Sequence, residues 1–256
     1  MKRLLRVITI LLLSTSISFG QNEPVFCKSL EPDVLLKSLF NPSTVIKDRY
    51  GSIMAQWKPS PMERWSLPVN AQGWCYTEVD TVIRFQDERG GQQAVVVFAS
   101  SDQPNNNGKR VAGAAKFSRA APGWTISSFE IGLVEEYGGR AALVKFGKDH
   151  FALEVPGGDM GQGYLTSWSA YYDTDRFDKM LALITHEDNE GAVGKDDKGY
   201  YAYDVQVKFV QSTGEYHIAE LKSHGTKATA DGEKIVSANS VRTFHFDEFA
   251  GFYMSK

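Results

Sequence analysis

The sequence has few cysteines and, beyond its first twenty residues, no long apolar run. Two cysteines occur among 256 residues, and neither has a nearby Cys-x-x-Cys partner or histidine that would complete a metal site. No later segment approaches the ~20 apolar residues that a transmembrane helix needs. These absences argue against a zinc or redox motif and against a membrane-spanning helix in the mature chain.

Catalytic and cofactor motifs are also missing. The five histidines show no His-Glu-x-x-His or similarly close ligand spacing. There is no Gly-x-Ser-x-Gly elbow, no Ser-x-x-Lys pair and no phosphate-binding glycine loop. Adjacent carboxylates such as Glu135 and Glu136 would face opposite sides of a strand, so spacing alone makes no acid–base pair. We therefore assign no catalytic residue and no cofactor, and the balance is against an enzyme.

The first twenty residues have the pattern of a cleavable secretory signal peptide. Three basic residues lie among the first six, residues 7–13 are almost wholly apolar, and Ser18 and Gly20 suit the positions before a cleavage site at Gln21. The alternative is an anchor that stays attached. Its apolar stretch is interrupted by Arg6 and is shorter than a bilayer requires. We therefore predict residues 1–20 to be a signal peptide and the protein to be exported, either periplasmic or secreted.

The charge of the mature chain is acidic. The whole chain has 28 basic and 31 acidic residues, and removal of the signal peptide leaves 25 basic residues against the same 31 acidic ones. Nucleic acids and anionic membranes are bound by basic faces. We therefore expect no nucleic-acid partner, and we expect either a ligand or another envelope protein instead.

The two cysteines, Cys27 and Cys75, suggest a disulfide. An even pair in an oxidising compartment is most simply bonded. The bridge would close a loop of roughly 49 residues and stabilise the fold by about 3–4 kcal/mol in the chain-entropy description. Two free thiols are the competing interpretation.

The chain divides into a lead-in and a β domain. Residues 21–74 form a helical or irregular lead-in, because apolar residues recur at helical spacing from Leu30 to Phe40 before an Asn41-Pro42 stop. Residues 75–256 alternate in hydrophobicity with a period of two and are punctuated by turns. We expect the two parts to form a single folding unit.

About a dozen strand candidates follow one another from Thr77 to Tyr253 without helices between them. Hairpin turns join several of them, as at residues 87–91 and 212–215. Such a series predicts a mainly β protein built as an antiparallel meander. A single open sheet of that size would curl or split, so we expect a sandwich or a partly open barrel.

The most distinctive segment for ligand binding is rich in glycine. Residues 156–164 contain four glycines in seven consecutive positions, which permits unusual backbone conformations and close approach of a ligand. Polar and aromatic side chains in and after this segment could form the rim of a small-molecule or glycan site. The candidate ligand-binding residues are Asp159, Gln162, Tyr164, Trp168 and Tyr171. The alternative is a glycine-shaped turn whose aromatic side chains belong to the core.

An acidic stretch from His186 to Asp197 resembles a calcium loop in its spacing. Calcium requires an oxygen ligand at the first position and a bidentate glutamate at the twelfth, where this sequence has His186 and Asp197. We therefore interpret the stretch as a solvated acidic loop and predict no metal site.

Three functions are compatible with these patterns. The favoured one is a non-enzymatic envelope or secreted protein that binds a ligand or partner through one end of a β scaffold. The second is a hydrolase acting on a cell-envelope polymer, which would need two carboxylates about 5–10 Å apart. The third is a carrier that holds an apolar ligand inside a half-open barrel.

Overall fold

The structure is a computed structural model that describes residues 25–48, 50–63, 66–104, 110–229 and 234–255. The predicted signal peptide, residues 1–20, lies outside the described residues. Within the described ranges, no helix is long and apolar enough to cross a membrane. The chain is mainly β and is arranged as two antiparallel sheets of seven and nine strands, one of them a half-barrel.

The first sheet is built from the N-terminal half of the chain. Its strands are β1 (Phe26–Cys27), β2 (Val45–Lys47), β3 (Ile53–Trp57), β4 (Cys75–Gln86), β5 (Gln92–Ser101), β6 (Val111–Ala120) and β7 (Gly123–Glu135). They are ordered β1-β7-β6-β5-β4-β3-β2, so the chain forms a meander from β2 to β7 and β1 pairs beside β7. Three short strands of this sheet therefore lie within the lead-in that the sequence suggested was helical or irregular.

The α-helix α1 (Pro32–Leu39), the one α-helix among the described residues, confirms the helical part of the lead-in. Its first turn contains a proline, and Asp33 pairs with Lys37 at 2.8 Å one turn later. Leu35 and Leu36 are fully buried against the first sheet. A short 3-10 helix, Pro42–Thr44, begins directly after Asn41, within the Asn41-Pro42 pair that was predicted to end the α-helix.

The second sheet is built from the C-terminal half. Its strands are β8 (Ala142–Lys145), β9 (Phe151–Gly161), β10 (Tyr164–Asp173), β11 (Lys179–Asp188), β12 (Ala202–Val210), β13 (Ile218–Ala228), β14 (Ile235–Ser237), β15 (Ser240–Asp247) and β16 (Phe252–Ser255). The order is β8-β9-β10-β11-β12-β13-β15-β16, and β14 pairs with the end of β13. The predicted antiparallel meander is confirmed.

The two sheets pack on each other through a shared apolar core. Val97 of the first sheet lies in the same cluster as Leu153 and Val155 of the second. Tyr172 also belongs to this cluster, and its hydroxyl donates a 2.6 Å hydrogen bond to the Leu133 carbonyl across the interface. The sandwich arrangement therefore joins the halves of the chain.

The second sheet is strongly curved between β11 and β16. Strands β11 and β12 pair only through residues 186–188 and 202–204, and β16 curls back to contact β11. The concave side is filled by side chains such as Phe209, Phe246 and Tyr253, whose rings contact one another. The half-barrel is therefore packed inside by aromatic side chains, and we call the end at which Leu183, Tyr203 and Arg242 line a groove its mouth.

The predicted Cys27–Cys75 disulfide is wrong: both thiols are free and buried. Cys27 pairs with Trp124 of β7, whereas Cys75 pairs with Trp57 of β3, and three strands lie between β1 and β4. Strands are spaced about 4.8 Å apart, and a disulfide requires α-carbons within about 7 Å. Burial raises the pKa of the Cys75 thiol to about 11.

Candidate functional site

The glycine-rich segment is part of a tight hairpin, which is closer to the glycine-shaped turn than to the open binding segment that the sequence also allowed. Strand β9 continues to Gly161 and pairs in register with β10. Only Gln162 and Gly163 form the turn, both in left-handed conformation with φ of 54° and 84°. Two consecutive residues with positive φ match the twist of a two-residue hairpin, so the glycines extend the strands instead of opening a loop.

Gly157 has a packing role within this hairpin. It lies directly opposite Trp168, and a β-carbon at Gly157 would overlap the indole ring. The missing side chain lets the ring lie across the neighbouring strand. The glycine therefore serves the packing of Trp168 on β9.

Three of the predicted ligand-binding residues share one face of the hairpin. Tyr164 and Trp168 lie on the same side of β10 because alternate residues of a strand face the same way. Asp159 joins them, since its cross-strand partner Thr166 lies between them on that face. Asp159 and Tyr164 are exposed and Trp168 is half-buried.

The other two predicted residues are placed differently. Tyr171 faces the opposite side and is buried in the half-barrel core, where its ring contacts Phe209 and its hydroxyl donates to Glu154 at 2.9 Å. Gln162 occupies the exposed tip of the hairpin. The structure therefore brings together Asp159, Tyr164 and Trp168 but not the whole predicted set.

Two residues of this face have cross-strand partners at or next to a groove at the mouth of the half-barrel, across a register shift between Ser167 and Trp168. Trp168 pairs with Ile184 of β11, which lines the groove. Thr166 pairs with Glu187, and Glu187 pairs in turn with Tyr203 of β12, another lining residue. The groove has a volume of about 390 Å³, which is within the range of small-molecule sites.

The floor of the groove is apolar. Leu183 and Val205 rise from the half-barrel core, and Ile184 and Ala238 extend the apolar surface outward. Ile184 is 40 % exposed although it is aliphatic. Burying such a side chain under a ligand is favourable, at about 25 cal/mol per Å² of apolar surface.

Glu187 accepts hydrogen bonds from two tyrosines, one of which, Tyr203, lines the groove. One carboxylate oxygen accepts a hydrogen bond from the Tyr201 hydroxyl at 3.0 Å, and the other accepts from Tyr203 at 3.1 Å. Burial and the Glu187 carboxylate raise the pKa of each hydroxyl to about 12. Both tyrosines are therefore protonated donors at neutral pH, and the Glu187 charge is satisfied within the protein.

Two cations also line the groove, Lys227 on β13 and Arg242 on β15. Within the described part of the chain, no carboxylate oxygen lies within 4.0 Å of either cationic group. The Arg242 guanidinium lies 5.8 Å from the centre of the Phe244 ring. Between the cations, the hydroxyls of Ser223 and Ser240 are hydrogen-bonded at 2.8 Å.

The acidic stretch that resembled a calcium loop contains a different arrangement. His186 bridges two carboxylates, with Nε2 2.7 Å from Asp188 and Nδ1 2.7 Å from Asp204. These contacts raise the pKa of His186, chiefly through Asp188, and lower the pKa of Asp188. No group of three His, Cys, Asp or Glu side chains among the described residues is placed to hold a metal ion.

A second charged cluster lies in the first sheet. One Arg110 nitrogen contacts Glu78 at 3.1 Å and Asp80 at 3.4 Å, and the Tyr137 hydroxyl donates to Asp80 at 2.6 Å. Burial raises the pKa of Glu78, an effect that Arg110 opposes. The cavity beside Glu78 is only about 10 Å³, about enough for one water molecule.

Sequence reasoning missed the groove residues Ile184, Tyr203, Lys227 and Arg242. Alternation within β13 and β15 places residues on one face or the other. It does not reveal which strands meet across the barrel mouth, so no local motif marks these residues. A comparison with known proteins finds no matching protein family, no similar curated protein and no similar solved structure for this chain.

Proposed function

We propose that this chain is a non-enzymatic, exported binding protein that takes a small ligand into the groove at the mouth of the half-barrel. The groove itself carries the proposal. It combines a volume of about 390 Å³ with apolar and polar lining residues, the composition typical of small-molecule sites.

The hairpin face extends this surface beyond the groove. Trp168 adjoins Ile184, and Tyr164 and Asp159 continue the face outward. A half-buried indole and an exposed phenol can cover a ligand that extends past the groove. In this proposal the three residues form an outer rim.

The hydrolase alternative has weaker support. Glu78 and Asp80 are one pair of carboxylates that converge on a cation, and both contact Arg110 while Asp80 also accepts from Tyr137. The cavity beside Glu78 has a volume of only about 10 Å³, which is too small to admit the part of a substrate that would be hydrolysed. Near the groove, both oxygens of the Glu187 carboxylate accept hydrogen bonds from tyrosines, so this group is not free to act in an acid–base pair.

The carrier alternative would need free space inside the half-barrel. Aromatic rings fill that interior, where Phe146 stacks near Tyr216 at 5.8 Å and Phe246 lies 4.3 Å from Tyr216. Such packing favours a ligand at the mouth over one enclosed within the sheet.

Binding of the fluorescent dye 8-anilinonaphthalene-1-sulfonate to the folded protein tests the proposal. A Ser240→Trp variant would fill the groove from its edge. Val241→Trp is the matched control, because Val241 is the next residue, faces the opposite side and is 61 % exposed. We expect Ser240→Trp to weaken dye binding at least tenfold and Val241→Trp to leave it unchanged.

Both variants should keep the circular-dichroism spectrum of the parent protein. Equal dye affinity in the parent and in a folded Ser240→Trp variant would contradict the proposal, as would the absence of any saturable dye binding.

A further inference from the structure

The charges around the groove are unbalanced. Lys227 and Arg242 supply two positive charges to its lining. Glu187 is the carboxylate bound to a lining residue, and both of its oxygens already accept hydrogen bonds from tyrosines. One cationic charge is therefore left without compensation among the described lining residues and their hydrogen-bond partners.

The apolar and cationic parts of the groove are on adjoining strands. Leu221 and Arg242 form a cross-strand pair, as do Ser223 and Ser240, so these side chains share the concave face with the apolar floor. The Arg242 side chain is exposed, and its guanidinium lies 5.8 Å from the centre of the Phe244 ring. A cation beside an apolar floor is suited to a negative charge on an apolar group.

We propose that the ligand of the groove is an amphipathic anion, in which an apolar body is joined to a carboxylate, phosphate or sulfate group. The apolar body would cover Ile184 and the floor of the groove, and the anionic group would lie between Lys227 and Arg242. This inference rests on the proposed function, because it names the chemical class that the same groove recognises.

Other ligand classes fit the lining less well. A neutral sugar would place hydroxyl groups against Leu183 and Val205, which offer them no hydrogen bonds. An organic cation would meet two positive side chains at close range. A polyanion such as a nucleic acid requires an extended basic face rather than two cations in a groove of about 390 Å³.

Two dyes that differ mainly in charge test this inference on the full mature protein. The anionic probe is 8-anilinonaphthalene-1-sulfonate, and the neutral probe is N-phenyl-1-naphthylamine, which has the same ring systems without the sulfonate. We expect the anionic probe to bind about tenfold more tightly. Arg242→Gln and Lys227→Gln should each remove most of that preference while leaving the affinity for the neutral probe unchanged.

Lys222→Gln is the matched control. Lys222 lies on β13 like Lys227, but it pairs with Val241 and faces away from the groove. The same side-chain change there removes one positive charge from the protein without altering the lining. We expect both dye affinities to stay within about twofold of the parent protein, in line with a weak contribution from a distant, screened charge.

The outcomes separate the two proposals. If neither dye binds saturably, or if Ser240→Trp leaves both affinities unchanged, the groove is not a binding site. If both dyes bind in the groove with equal affinity and Arg242→Gln has no effect, the groove binds ligands but does not select anions. Loss of the preference in Lys222→Gln as well would assign the effect to net charge and would overturn the inference.

Discussion

At the scale of single residues, Gly157 and Trp168 show how one side chain depends on the absence of another. The indole occupies the space where a β-carbon of Gly157 would lie. Because Trp168 pairs with Ile184, its position also affects the surface that leads into the groove. A glycine that suggests loop flexibility in the sequence therefore fixes a rigid aromatic contact in the fold.

Gly157→Ala should destabilise the protein by about 1–3 kcal/mol, because the added methyl group displaces the indole or the strand. Gly161→Ala is the matched control on the same strand, since no heavy atom lies within 4 Å of its β-carbon position. Urea unfolding followed by circular dichroism measures both variants. A Gly157→Ala variant as stable as Gly161→Ala would show that the indole adjusts freely.

The two cysteines show that residue type alone does not predict a disulfide. Each lies in the buried interior, and burial raises the pKa of both thiols. Cys27 and Cys75 therefore act as small apolar side chains of the first sheet. The distance between two cysteines in the fold depends on strand order, which their separation along the chain does not determine.

At the scale of elements, the junction between β11 and β12 is unusually short, because only three residues of each strand pair. The His186 side chain joins the two strands there through Asp188 of its own strand and Asp204 of the neighbouring one. A protonated imidazole donates from both nitrogens, whereas a neutral one donates from only one. The junction is therefore strongest when His186 is charged.

His186→Gln should lower the free energy of unfolding by about 1 kcal/mol near pH 5–6, a value typical of a partly exposed charged pair. Because the pKa of His186 is raised, its contribution to the free energy of unfolding is complete below about pH 6.5. That contribution is lost as the pH rises through the folded-state pKa. The lowered pKa of Asp188 adds stability above about pH 4, which is lost on further acidification.

Urea unfolding between pH 4 and 9 measures this difference. The difference in the free energy of unfolding between the parent protein and His186→Gln should be largest near pH 5–6 and should become smaller above pH 8. His245→Gln is the control, because His245 lies on β15, two strands from β12. A constant difference in the free energy of unfolding across this range would mean that His186 stabilises the fold only through packing.

At the scale of the whole molecule, the sandwich core links two halves of the chain that each form a complete sheet. Leu153 is fully buried in the cluster that both sheets share. Neither sheet can cover its inner face without the other, because those apolar side chains would be exposed to water. We therefore expect the sheets to unfold together.

Leu153→Ala should lower the free energy of unfolding by about 2–5 kcal/mol, as expected for a large-to-small change in a packed core. Hydrogen exchange followed by mass spectrometry can compare β5 of the first sheet with β10 of the second. The slowest amides of both strands should lose protection by the same factor. Loss of protection in β10 alone would instead indicate two independently unfolding units.

Much of the fold could be predicted from local pattern. Period-two alternation predicted the strands from β4 onward, except that it predicted β14 and β15 as one continuous strand, and the spacing of Leu35, Leu36 and Leu39 predicted the helix. The short strands β1, β2 and β3 were not predicted, because two to five residues are too few to show a period. Three of the five predicted site residues share a face, whereas Tyr171 lies in the core because its parity along β10 points it inward.

The sequence by itself determined the class of the protein: an acidic chain with alternating strands, an early helix in the lead-in and no recognisable catalytic motif. Those properties depend on residues that are close together in the chain, because periodicity and turn chemistry are local. Only the tertiary structure decided that the cysteines stay apart, that the glycine segment is a hairpin, and that Lys227 and Arg242 meet an apolar floor. Each of these depends on strand order and sheet curvature, which arise from contacts between residues far apart in the chain.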